Sequence, residues 1–351
     1  MIAPRALGSV PEPNPSRYLK GFGVIFGTRI RSLLHTNFVP AAKRNVLPAN
    51  TLLPLPLELT ATGSRRDMSL SLPVGFEKDR ILEMLRTISI ENAPTSELEG
   101  YLSQDFERFL ITLGLVRGLS GRALEIGANP YFTSVLLKEF TDLELTMTNS
   151  FDPRASGVHS QLVRYVGKSG VAVAEQFEYE SLNVETMRFP YLDDAFDVVV
   201  FCEVIEHLLM DPVAALNEIG RVLKHGGTLI TSTPNVARLE NVARLAAGAN
   251  IYDPYSGYGP YGRHNREFTR HELVKLLEFS GFELEDHFTA DVHPHQSEGF
   301  VDVTKLAPIL EGRLPDLGQY LFARARNLGP PENGRPAELF RSLSAEKLLE
   351  S

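Results

Sequence analysis

The chain has 351 residues, 43% of them hydrophobic, and a formal net charge of −9. That length holds one large domain with an extension or two modest domains, and the acidic balance speaks against DNA as a partner, which calls for a basic stripe. One cysteine, Cys202, excludes an internal disulfide and fits a reducing, cytoplasmic setting.

Residues 1–75 read as a basic, proline-rich extension. Within 1–50, Arg5, Arg17, Lys20, Arg29, Arg31, Lys43 and Arg44 face a single acid, Glu12, around an apolar run at 18–34. Three readings stay open for this arm: a surface helix making peripheral membrane contact, a transit-type segment, or a strap packed on the following domain. A helix is expected over 77–88, with Ile81, Leu82, Leu85 and Ile88 on one face. A second starts at Ser96 with a capping box, Ser96 and Glu99. Together they make a helical cap over 76–120.

Residues 122–134 read Arg-Ala-Leu-Glu-Ile-Gly-Ala-Asn-Pro-Tyr-Phe-Thr-Ser. A short apolar run, a glycine and a helical start give a strand, a turn and a helix, the usual crevice for an adenosine-type cofactor. Gly127 lets a ligand approach the backbone. Glu125 can balance a ligand cation. Asn129, in place of a second glycine, is a residue type that tolerates a left-handed backbone. On the glycine alone, an ordinary turn without a ligand reads the same.

A strand is expected at 143–147, a short helix at 156–168 and a strand at 177–182. The run 196–201 is apolar except for Asp197, as in a strand buried on both faces. Asp211 and Pro212 are an N-cap and first helical residue, followed by Val213, Leu216, Ile219 and Leu223 at helical spacing. Gly226 and Gly227 end that helix, and a strand returns at 228–231. A helix over 238–247 leads into 251–264, where Tyr252, Tyr255, Tyr258 and Tyr261 alternate with glycine and proline. That segment is either a lid whose rings stack on a ligand or a packed surface loop. Thr269 and Glu272 form a capping box for the next helix, which Gly281 closes. Strands at 282–288 and 319–325, with a helix at 303–310 between them, precede a polar tail at 328–351.

Three stretches taken together carry a resemblance. They are 122–134, Phe-Asp-Val-Val-Val-Phe-Cys-Glu-Val-Ile-Glu-His-Leu at 196–208, and Arg-Val-Leu-Lys-His-Gly-Gly-Thr-Leu-Ile-Thr-Ser-Thr-Pro-Asn at 221–235. In this order they resemble class I S-adenosylmethionine-dependent methyltransferases, over about 95–327. The resemblance implies an α/β, Rossmann-like, seven-stranded and mostly parallel sheet with helices on both faces, as a domain at 121–327. It implies S-adenosylmethionine as cofactor, held by Glu125, Gly127, Asn129, Asn149, Asn183, Val184 and Glu203. Asn149 stands where an acid usually holds the ribose, and brings hydrogen bonds without charge. The reduced glycine motif and this missing acid leave a non-catalytic binding protein as an alternative. The pattern Gly-x-Gly-x-x-Gly is absent, which speaks against a nicotinamide oxidoreductase.

The implied reaction is methyl transfer to a hydroxyl of a sugar, glycan or small-molecule acceptor. Glu206 and His207 follow the 196–201 strand at the edge where such sheets hold ligands, so His207 is the candidate base, with a helix brace as the plainer reading. Tyr255, Tyr258, Tyr261 and His264 are the candidate acceptor contacts, and 263–269 resembles methyltransferases of glycans or small acceptors. Glu203, Glu206 and His207 lie at i, i+3 and i+4. With His264 they could hold magnesium or manganese, an arrangement resembling that of small-RNA 2′-hydroxyl methyltransferases.

Overall fold

The computed structural model describes residues 72–151, 155–257, 259–295, 300–306 and 308–329, with 331, 334–336, 339 and 340 of the tail. The expectations for the arm at 1–50 and for Tyr258 fall outside these residues. Helix α1 (Lys78–Arg86) buries Ile81, Met84 and Leu85. Strand β1 (Ser89–Ile90) and the long helix α2 (Thr95–Leu115) follow. The expected box at Ser96 does not form: Pro94 is the N-cap, and no side chain caps the end.

Then come β2 (Ser120–Ile126), α3 (Phe132–Phe140), β3 (Asp142–Asn149), β4 (Gly157–Val166) and β5 (Ala172–Ser181). Strand β4 corrects the helix expected at 156–168. Val158, Leu162 and Tyr165 also fit an i, i+4, i+7 spacing. The packing follows the other periodicity, in which Val163 and Tyr165 are buried and Arg164 between them is exposed. The 167–170 turn then closes a hairpin, with β4 and β5 paired from Gly157↔Ser181 to Val166↔Ala172.

The remainder is β6 (Phe196–Cys202), α4 (Pro212–Val222), β7 (Leu223–Pro234), α5 (Leu239–Ala246), α6 (Arg270–Phe279), β8 (Phe282–Ala290), α7 (Val303–Leu306) and β9 (Tyr320–Asn327). Asp211 caps α4 as its sequence says, its carboxylate accepting from the Val213 N–H at 3.0 Å. Strand β7 starts at Leu223, before the two glycines expected to separate helix from strand.

The sheet has nine strands rather than seven, in the order β1-β4-β5-β3-β2-β6-β7-β9-β8. The run from β5 through β7 is parallel. Strands β1, β4, β8 and β9 extend it with antiparallel pairs. Alternation along β6 divides the interior. Val198 and Val200 join a core with α1, α2 and α3, while Val199 and Phe201 join one with α4 and α6. Helices therefore cover both faces, as the resemblance implied. Helix α2 is part of the first core. Strand β2 has β3 on one side and β6 on the other, so the chain order reverses there, and ligands of such sheets gather at the carboxyl ends of the strands around that point. Among the described residues, no helix is long and apolar enough to cross a membrane.

Candidate active site

The carboxyl ends of β2 and β6 meet at a cavity of about 60 Å³, lined by Glu125, Gly127, Asn129, Cys202 and Glu203 from the sheet edge, with Tyr101 and Arg108 from α2. Gly127 has φ +78, and a Cβ there would lie 2.7 Å from Val204 Cγ2. Glycine is therefore required by the turn itself. The second left-handed residue of the turn is Tyr131, with φ 66, and not Asn129. Asn129 instead donates its N–H to Asn149 Oδ1 at 2.7 Å, and Asn149 Nδ2 donates to the Tyr131 hydroxyl at 3.1 Å. That hydroxyl donates to Gln161 Oε1 of β4 at 2.6 Å. Asn149 thus braces the turn from the end of β3, and the hairpin strand locks it from outside.

The cavity is charged. Glu125 is 3% exposed, and its Oε2 has no hydrogen-bond partner among the described residues. Burial, opposed by the nearby Ser134 hydroxyl, pushes its carboxyl up to about 8. Glu203 has φ 55 and accepts from Ser232 Oγ at 2.7 Å. Its own burial, opposed by Arg108 and aided by Glu206, lifts it to about 8. Arg108 is a residue that sequence reasoning missed. Its Nε donates to Asp105 at 2.8 Å and its Nη2 to the Tyr101 hydroxyl at 2.6 Å. Its guanidinium carbon lies 4.8 Å from the centre of the Phe109 ring. The available signal was a charged pair, Asp105 and Arg108, set three apart on the helix face that also carries Leu98, Leu102 and Phe109.

Beyond Glu203 the chain makes a short 3-10 turn, Ile205–His207. Glu206 is fully buried, and its Oε2 accepts from Thr233 Oγ1 at 3.0 Å. Its backbone carbonyl takes the N–H groups of Asn265 (2.7 Å) and Arg266 (3.1 Å). Asn265 Nδ2 donates to the carbonyls of His207 and Pro260, both at 2.8 Å. These bonds staple the end of the tyrosine-rich segment to the turn after β6.

His207 Nδ1 lies 2.9 Å from the Arg263 carbonyl. Nδ1 therefore carries the proton, and Nε2 keeps a lone pair. Burial and the neighbouring His264 charge lower the His207 pKa, so the ring is neutral near pH 7. His264 is the opposite case. Burial works against its charge, but the 3.0 Å contact to Glu267 and the carboxylates of Glu206 and Asp253 win, raising it to about 9. The two imidazoles stand edge to face, 5.1 Å apart.

The structure gathers part of the expected constellation. Glu206, His207 and His264 present ligand atoms within 4.8 Å of one another. Glu203 is not in that group, because a left-handed residue and a 3-10 turn replace the helix that would have put all three on one face. Tyr261 donates to Glu185 Oε2 at 3.0 Å and accepts from Asn183 Nδ2 at 3.4 Å, which ties the segment to the loop after β5. Val184 lines a separate groove with Met187 and Ala214. Tyr255 is 92% exposed.

A family model described as a methyltransferase domain matches residues 97–287, which is 191 of the 351 residues. The chain belongs to this methyltransferase family. A protein of Mycolicibacterium smegmatis, named as a probable S-adenosylmethionine-dependent methyltransferase, is 38% identical over 99 residues, 28% of this chain and 33% of that protein. A similarly named protein of Mycobacterium tuberculosis is 33% identical over 103 residues, 29% of this chain and 32% of that one. The match thus spans about a third of each curated relative. Among solved structures, a SAM-dependent methyltransferase of Thermotoga maritima aligns at 19% identity and TM-score 0.40, covering 66% of this chain and 95% of that one. One from Archaeoglobus fulgidus aligns at 15% identity and TM-score 0.38, covering 65% and 99%.

Proposed function

We propose that this methyltransferase-family chain binds S-adenosylmethionine at the β2–β6 edge and methylates a hydroxyl of a sugar, glycan or other small acceptor. The residues fit the cofactor. The unpartnered, buried Oε2 of Glu125 is suited to a cationic ligand, and Arg108 brings a cation to the same cavity. Bound there, S-adenosylmethionine supplies an activated methyl whose S–C bond breaks as the acceptor oxygen forms its O–C bond. The protein's share is alignment and removal of one proton.

The observation that carries the oxygen-directed reading is His207. Its Nδ1 is fixed on a backbone carbonyl, it is neutral near pH 7, and its Nε2 is left to take the acceptor's hydroxyl proton. Glu206 Oε1 lies 3.7 Å from Nε2 and balances the imidazolium that results. His264 serves as the neighbouring cation that keeps His207 unprotonated beforehand. Asn149, Asn183 and Val184 are proposed for the adenosine portion, and Tyr261 for the acceptor side.

A divalent ion on Glu206, His207 and His264 is the second reading, favoured by their spacing. It requires His264 to give up a proton that Glu267 and Asp253 hold, so the lone base is the better fit. The test is methyl transfer from labelled cofactor to a panel of hydroxylated acceptors. His207→Ala should lower kcat by about 10²–10⁴ while cofactor affinity holds, and chelator should change nothing. Near-normal turnover in His207→Ala sinks the base. Activity lost to chelator and restored by magnesium or manganese establishes the metal.

A further inference from the structure

We infer that Arg263 and Tyr255 form a subsite for an oxyanion on the acceptor, a carboxylate or a phosphate ester carried by a hydroxylated ring. This rests on the acceptor-methylating reading above. Arg263 has no carboxylate within ion-pair distance among the described residues, whereas Arg238 pairs with Glu267 and Arg266 with Glu272. Its Nε donates to Asn265 Oδ1 at 3.2 Å, and Asn265 is itself anchored on the His207 carbonyl. The guanidinium is therefore oriented through one donor, and its terminal Nη1 and Nη2 fork has no hydrogen-bond partner among the described residues. That fork matches the two oxygens of a carboxylate or phosphate.

Tyr255 supplies a second, separate element. The Arg263 guanidinium carbon lies 4.8 Å from the centre of its ring. The ring is otherwise almost wholly exposed, so its free face is a platform for an apolar ring face. The position relative to the chemistry is set by the backbone, because the carbonyl of this same Arg263 holds His207 Nδ1.

The test is calorimetric titration of the full chain with four probes: glucose, glucuronate, glucose 6-phosphate and inorganic phosphate. One anionic sugar should bind about tenfold or more tighter than glucose, and whichever does so distinguishes carboxylate from phosphate. Arg263→Met keeps the backbone carbonyl and should bring that sugar down to the level of glucose. Arg263→Lys, with charge but no fork, should fall between. Tyr255→Ala should weaken the sugars and leave inorganic phosphate unchanged. An unchanged melting temperature in Arg263→Met separates lost binding from lost fold. Equal binding of glucose and both anionic sugars, no binding of either anionic sugar, or a preference that survives Arg263→Met would each overturn the inference. S-adenosylhomocysteine affinity, measured on the same samples, reads the methyltransferase proposal separately.

Discussion

Glu125 is the residue whose environment asks most plainly for a ligand. Burial holds its carboxyl at about 8, above the ordinary 4.5. Between those values the folded chain keeps a proton that the unfolded chain releases, so this group makes stability fall as pH rises through that window. Glu125→Gln removes the dependence. The variant should match the native chain near pH 4 and exceed it by a few kcal/mol near pH 8, read by denaturant unfolding. A cationic ligand inverts the preference, because it favours the carboxylate. Affinity for S-adenosylmethionine should therefore rise with pH in the native chain, and be weaker and flatter in Glu125→Gln. Native-like affinity in the variant at pH 8 would remove Glu125 from the site. Its place in the turn was legible from the strand and glycine around it. The left-handed position was not, because the bonds from Asn149 and Gln161 that hold Tyr131 there come from strands distant in sequence.

At the scale of elements, caps written in adjacent residues form where nothing competes. Thr269 and Glu272 exchange both bonds of the expected box at the start of α6. Thr269→Ala should cost about 1 kcal/mol, with a parallel loss in melting temperature, and a neutral result would show that packing of Leu273, Leu276 and Leu277 alone sets the helix start. The box read at Ser96 fails because α2 begins one residue earlier, at Thr95, so Ser96 already lies within the helix. Strand β4 shows how two periodicities compete. Its apolar residues satisfy both, and pairing with β5 decides between them, since ten residues of ladder bonds outweigh a weak local preference.

For the molecule as a whole, α1 and α2 share one core with the sheet, so the segment expected as a cap should melt with the rest. Ile81, in α1, is 0% exposed and Val200, in β6, is 1% exposed, both in that core. Ile81→Ala should cost about 2–5 kcal/mol, and Val200→Ala somewhat less because valine is smaller. Both should lower a single unfolding transition monitored through the sheet. A separate early transition in Ile81→Ala, with the sheet transition unmoved, would mean that the helices fold as their own unit.

The apolar run of β6, the Asp211 and Thr269 caps and the glycine after β2 were determined by the sequence itself, because each depends on neighbours a few residues away. The site's chemistry was decided by tertiary structure. Arg263 reaches His207 across 56 positions, and Tyr261 reaches Asn183 across 78. The i, i+3, i+4 spacing of Glu203, Glu206 and His207 suggested one shared face, yet a left-handed backbone at Glu203 turns it toward Ser232, while Glu206 and His207 meet His264 instead. Which imidazole is charged follows from burial and from carboxylates that only folding brings together, and spacing along a chain carries neither.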